Sequence, residues 1–491
     1  MAGIAYTVGA LVLVTNPMWW GQEDVGGVPV LNLLLYAYGA PAALCGLLAW
    51  VLRWSDPEHG GVAKTMGATG LVVLWALVSL EVRQGFAGGR LTLAEGTPVS
   101  FVEYATYSTA WLALGAALLA IGKRWSDVVR RGGIWVCSLA VAYAIVVVGV
   151  VENPFFHAIR VGEWVIVNDL LYAYGLPLAL AGLAAWILHP VAEGIFGPWT
   201  EDSERPFAEG WKLGWLLRVG MMVLLFILVT TEVRQGFRGG CLHAVESTFG
   251  ERATYPIAWL ACGGALLGLG YGLGSAAARR GGLTFAALAL GFVVLIGTLI
   301  MNPLFTRERV GATVIFNGLL YAYGLPAAAT AGLAWYLWKR AGRAEGTAAE
   351  RMHGWFHAIG SLVLIFALVT LEVQHAFRGD NMFFGASPPG TPAGEIAAYS
   401  IAWALLGIVY LIVGIVRRSV LLRAASLVMM LLTIPKVFLF DIAVTHDFQR
   451  VLSFTGVGVC LLLLAFVYQR FVFRRPRTTT EPAAQEDAGK R

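Results

Sequence analysis

The sequence predicts an all-α polytopic membrane protein of about 14 transmembrane helices, built as three parallel four-helix repeats plus a degenerate half-repeat. Three observations carry that expectation. Of the 491 residues, 58% are hydrophobic and only 13% charged, about half the charge of a soluble chain. The apolar residues come in blocks, such as "LVVLWALVSL" and "MMVLLFILVT", that approach the roughly 20 residues needed to cross a bilayer. Finally, one set of motifs is written three times.

The blocks place spans near 1–15, 30–52, 64–82, 103–122, 134–152, 164–188, 211–232, 253–275, 283–301, 313–338, 354–373, 395–416, 420–436 and 450–473. The first is short for a span and has no basic flank, so it does not read as a signal peptide. The repeat is visible from its first motif onward. The pairs Asn16-Pro17, Asn153-Pro154 and Asn302-Pro303 open each copy. "NLLLYAYGAP", "NDLLYAYGLP" and "NGLLYAYGLP" follow at Asn32, Asn168 and Asn317. "LEVRQGFAGG", "TEVRQGFRGG" and "LEVQHAFRGD" come next, centred on Glu81, Glu232 and Glu372. "EYATYSTAW", "ERATYPIAW" and "EIAAYSIAW" then start at Glu103, Glu251 and Glu395, and an arginine pair closes each copy. A period of about 140–150 residues is too long for a solenoid and suits a four-helix membrane unit. A single membrane domain over 1–473 then divides into units near 16–152, 153–301 and 302–434, with a half-unit at 435–473. The polar residues 474–491 are expected to form a disordered cytoplasmic tail.

Loop charge sets the orientation. About two thirds of the 35 Lys and Arg residues fall in alternate loops, among them Arg130-Arg131, Arg279-Arg280 and Arg417-Arg418, and that side is cytoplasmic by the positive-inside rule. Both termini are then cytoplasmic, and the "NxLLYAYG", "EVRQGF" and "ExxxYxxxW" motifs of each copy are expected at the outer face. In a chain this apolar the net charge of +5 reports topology and gives no reason to expect nucleic acid; the lipid bilayer is the partner the composition requires. The five cysteines show no metal-knuckle or redox spacing.

The candidate functional residues are the charges inside this apolar frame. Glu103, Tyr107 and Trp111 share a helix face by their i, i+4, i+8 spacing, as do Glu251, Tyr255, Trp259 and Glu395, Tyr399, Trp403. Each copy therefore offers two carboxylates, Glu81 with Glu103, Glu232 with Glu251 and Glu372 with Glu395. Arg83 and Arg234 are natural partners, because a charge in hydrocarbon must be paired or face water. Only the second copy adds Asp169, so a site made by one unit would gather Asp169, Glu232, Arg234, Glu251 and Tyr255. The bland alternative is a set of helix ties flanked by an aromatic belt. The closing half-unit adds Lys436, Asp441 and Arg450, either a salt-bridged cap or a proton or substrate site. His353 and His357 are one helical turn apart with no third ligand evident, so no metal is expected. No cofactor is expected either: HExxH, Walker A, GxSxG and dinucleotide fingerprints are missing from the sequence.

The closing motifs "PKVFLFD" and "RVLSFTGVGVCLLLLAFVYQRF", with "LEVRQGF" and "YSTAWLALGAALLAIGKR", resemble the bacterial predicted-membrane-protein family catalogued as domain of unknown function 2339. Members of that family usually run longer, so the chain is similar to the C-terminal portion of such a protein. The resemblance implies the bacterial inner membrane and, as partner, an upstream membrane protein or a missing N-terminal portion. It implies no activity. Three functions are open to these residues. One is a transporter or channel-like protein for a polar or envelope-related solute. Another is a membrane-embedded enzyme acting on a lipid-linked or periplasmic glycan, using two carboxylates about 5–9 Å apart. The third is a structural or assembly protein in which the motifs only pack.

Overall fold

The structure is a computed structural model that describes residues 16–20, 24–55, 60–93, 98–188, 209–243, 246–306, 308–343, 346–380, 382–383 and 393–438, with positions 455, 458 and 462. The described residues are helical, and they contain no strand beyond an isolated bridge between Arg160 and Cys241. Two compact units divide the chain, 1–292 and 293–491. The first holds α1 (Ala40–Ser55), α2 (Gly60–Ala87), α3 (Phe101–Trp125), α4 (Asp127–Tyr143), α5 (Leu176–Leu188), α6 (Glu209–Arg238), α7 (Phe249–Gly272) and α8 (Ala276–Gly291). The second holds α9 (Leu325–Ala341), α10 (Ala348–Arg378), α11 (Ala393–Val416) and α12 (Val420–Lys436). Each helix packs chiefly on the next in antiparallel hairpins, α1 on α2, α3 on α4, α7 on α8, α9 on α10 and α11 on α12, while α5 lies against both α3 and α6.

Among the described residues ten helices are long and apolar enough to cross a membrane, fewer than the 14 expected. The expected spans at 1–15 and 450–473 lie outside the described residues, apart from three helical positions in the second. The expected spans at 313–338 and 420–436 are helical over Leu320–Ala341 and α12 but are not among the ten. α12 continues through Val437 and Phe438, where its described residues stop. The expected starts at 30, 164 and 313 are also corrected. Those apolar residues form a loop, and the helix begins only at the "LLYAYG" motif. Sequence hydropathy runs the two together because both are apolar. What separates them is a left-handed residue, Val30 (φ 70°), Ile166 (φ 74°) or Ile315 (φ 74°), which no right-handed helix accommodates.

The "LYAYG" stretches Leu35–Gly39, Leu171–Gly175 and Leu320–Gly324 are π-helical. Pro41, Pro177 and Pro326 follow each by two residues. A proline supplies no N–H and clashes with the carbonyl four residues earlier; here that carbonyl lies within the widened turn, which relieves the clash. Further π-helical segments, Ala144–Val151 and Phe292–Ile300, precede the Asn-Pro pairs. Tyr174 and Tyr323 donate to carbonyls within them, Val148 O at 3.0 Å and Gly297 O at 2.7 Å. Asn153 and Asn302 donate to Gly149 O and Thr298 O.

Glycines let two hairpins close tightly. A Cβ on Gly133 of α4 would lie 2.9 Å from Gly115 O of α3, and one on Gly282 of α8 would lie 2.6 Å from Gly263 O of α7. Close backbone approach is how helices associate where lipid removes the hydrophobic drive. The outward residues are apolar, including Leu44, Leu47, Trp50, Leu183 and Trp186, whereas Arg83, Glu103, Glu251 and His357 are buried. That inversion is what a bilayer solvent demands.

Candidate functional site

Two carboxylates per copy do two different jobs. Glu103, Glu251 and Glu395 stand in the first turn of α3, α7 and α11. Glu103 and Glu251 also lie at the helix N-terminus capped by Ser100 and Thr248, where a negative charge is favoured. Each faces an arginine from the end of the preceding long helix. Arg83 Nη1 donates to both oxygens of Glu103, at 3.1 and 3.0 Å, and neither side chain is more than 1% exposed. Glu251 takes two arginines, Arg234 at 2.7 Å and Arg238 at 2.9 Å. Glu395 takes Arg378 at 3.2 Å.

The tyrosine one turn on from each glutamate donates to it, at 3.2 Å for Tyr107, 2.9 Å for Tyr255 and 3.4 Å for Tyr399. One turn further, the indole N–H of Trp111, Trp259 and Trp403 donates to Ser79, Thr230 and Thr370 at 3.0–3.1 Å. The two helices are thus zipped by Glu–Arg, Tyr–Glu and Trp–hydroxyl contacts at successive turns. The sequence pattern supplied one side of the zipper. It missed the Ser or Thr two residues before Glu81, Glu232 and Glu372, although the same position carries a hydroxyl in all three copies.

The third copy, where Gln374 replaces the arginine, shows what the chemistry must keep. Arg83 Nε and Arg234 Nε donate to Leu91 O and Leu242 O in the following loop. Gln374 Nε2 makes the equivalent contact to Met382 O at 3.2 Å, and its Oε1 accepts from the Tyr399 hydroxyl at 2.9 Å. The positive charge moves four residues on, to Arg378, which matches Arg238 in the second copy and Ala87 in the first. Residues four apart share a helix face, so either position reaches the glutamate. Every copy retains at least one arginine on its buried carboxylate.

Glu81, Glu232 and Glu372 instead hold the loop before the "LLYAYG" helix. Their Oε2 atoms accept from the backbone N–H of Val30, Ile166 and Ile315 at 2.9, 3.0 and 3.3 Å. The same oxygens accept from Asn32, Asn168 and Asn317 at 3.1, 3.2 and 3.1 Å. Each asparagine Oδ1 in turn accepts two N–H groups that open the next helix. One turn after each glutamate, Gln84, Gln235 and His375 meet the carbonyls of Gly26, Gly162 and Gly311 at 2.7, 2.9 and 2.7 Å. Those glycines have φ of 102°, 93° and 105°, a region closed to other residues.

The geometry therefore joins Arg234, Glu251 and Tyr255 in one hydrogen-bonded cluster and puts Glu232 in another, on Asn168 and Ile166. Asp169 uses its backbone N–H on Val161 O. Lys436 donates to Ser400 Oγ at 2.6 Å and to Ile396 O, and stands over the Tyr399 ring, which ties α12 to α11. Asp441 and Arg450 lie outside the described residues. His353 and His357 stack with ring centroids 6.0 Å apart, and the described residues hold no cluster of three metal-ligating side chains.

The family model described as "Predicted membrane protein (DUF2339)" matches residues 1–148, 125–296 and 281–471. The chain belongs to this family. The family expected from the motifs is the family found, and the match runs from the first residue rather than resting on the closing motif. No curated protein and no solved structure matches the chain. Membership in DUF2339 makes this a multi-pass membrane protein and assigns it no reaction.

Proposed function

We propose that the chain is a structural or assembly protein of the bacterial inner membrane, with both termini cytoplasmic, whose triplicated outer-face motif is a clasp between helices. The observation that carries this reading is the movement of the arginine between copies. Arg83, Arg234 with Arg238, and Arg378 occupy different positions, yet each meets the glutamate of the next helix. A binding site would depend on where its cation stands. A clasp needs only that the buried carboxylate be neutralised.

The recurrence of the same contacts supports three four-helix repeats and a half-unit, in parallel because an even number of spans returns the chain to the same side. A transporter for a polar solute or a glycan-processing enzyme needs a carboxylate free to meet its substrate. Glu103 and Glu251 have both oxygens committed to protein donors, and the oxygens without a protein partner among the described residues, Glu81, Glu232 and Glu372 Oε1 and Glu395 Oε2, are buried. The test is conservative. Glu103→Gln and Glu251→Gln should reduce the folded protein recovered from membranes and its resistance to unfolding. Normal folding with a lost envelope phenotype would transfer the argument to the solute or glycan readings.

A further inference from the structure

The segments before each "LLYAYG" helix have an unusual combination of properties. Their tips, "VPVL" (28–31), "WVIV" (164–167) and "TVIF" (313–316), are uncharged and, Thr313 apart, apolar. The residue before the asparagine is a large apolar group in each, Leu31, Val167 or Phe316, and is 76%, 74% and 80% exposed. The preceding left-handed residue is β-branched, where glycine or asparagine is the unstrained choice. Water gives no reason to hold Val30, Ile166 and Ile315 in that conformation with their side chains outward.

Their depth does. Glu81, Glu232 and Glu372 hold these tips, and each lies six residues before the end of its helix at Ala87, Arg238 or Arg378. At about 1.5 Å per residue the tips are fastened about 9 Å below the helix ends, level with the start of the next span. The loop runs back up the same helix. Gly26, Gly162 and Gly311 meet the side chain one turn higher, and the N–H groups of Val25, Val161 and Val310 reach Gly89, Gly240 and Asp380 beyond the helix end. Non-helical backbone at membrane depth needs its polar groups satisfied by protein, and the Glu, Asn and Gln or His side chains do this at each tip. Exposed apolar residues recur in the following helices, at Leu35 and Tyr36, Leu171, and Tyr321 and Leu325.

We propose that the three tips are short re-entrant loops whose apolar side chains are seated among the acyl chains at the headgroup boundary of the outer leaflet. The ligand class is phospholipid hydrocarbon, and the glutamates are retained to satisfy backbone there. This goes beyond the clasp reading and fails separately from it, because it concerns the loop glutamates rather than the helix pair.

The experiment uses the full chain with its five cysteines replaced, reconstituted in phosphatidylcholine vesicles. Leu31→Cys, Val167→Cys and Phe316→Cys are labelled one at a time with bimane, with Arg309→Cys, 85% exposed, as the aqueous reference. The expected result is blue-shifted emission at the three tips, quenching by lipid carrying a nitroxide near the headgroup, and loss of the iodide quenching seen at position 309. Iodide quenching equal to that at 309 would overturn the proposal by placing the tips in water. Protection from both quenchers would overturn it by placing them under protein, either a second copy or a partner. The labels replace exposed side chains, and the three positions give separate readings should one fail to fold.

Discussion

Changing Arg83 to Gln tests the clasp at the copy with least redundancy. Arg83 and Glu103 are buried at 0% and 1% exposure and 3.0 Å apart, and among the described residues Glu103 meets no second arginine. Breaking such a pair from one side strands a buried charge and costs about 3–5 kcal/mol. The lower end applies, because a glutamine here can reach Leu91 O as Gln374 reaches Met382 O. The same change at Arg234 leaves Arg238 on Glu251 at 2.9 Å, so the loss there is about 1.5 kcal/mol, the low end for one hydrogen bond to a charged group. Adding Ala87→Arg to Arg83→Gln writes the third copy's arrangement into the first and should recover more than half of the loss. The assay is unfolding of purified protein in mixed micelles by SDS titration, followed by circular dichroism. Equal losses at Arg83 and Arg234, or no recovery from the arginine at 87, would refute the idea that the clasp requires charge and not position.

Other outcomes follow from the same geometry. Glu232→Ala strands the Ile166 N–H and should cost about 1–3 kcal/mol, read most directly as faster hydrogen exchange at that amide. Ile166→Gly removes a left-handed β-branched residue and should stabilise the detergent-solubilised protein by about 1–2 kcal/mol, measured by the same SDS titration. Trp259→Phe should cost about 1 kcal/mol through its lost bond to Thr230, and Thr230→Val added to it should cost little more, since both remove one contact.

Much of this architecture is written in the sequence. Hydropathy depends on composition alone, and it placed the spans of α1 to α8, α10 and α11 near where they lie. Repetition does not require three dimensions either, so the paired carboxylates and the Glu-Tyr-Trp face were visible at their i, i+4, i+8 spacing. The exchange of Arg83 for Gln374 was visible too, but its meaning was not. Only the folded chain shows that Arg378 takes over the charge, because compensation depends on which side chains share a face across two helices. The loops at 30, 166 and 315 were read as the starts of spans for a related reason. Hydropathy reports the preference of a side chain for hydrocarbon and is blind to φ, whereas the end of a helix is decided by backbone conformation. The sequence by itself determined that the bilayer is the solvent and that one set of motifs is written three times. The tertiary structure decided that the two glutamates of each copy part company, one to an arginine and one to a loop. A buried charge takes whichever donors packing brings within 3 Å or so, and those donors lie 13–66 residues away along the chain.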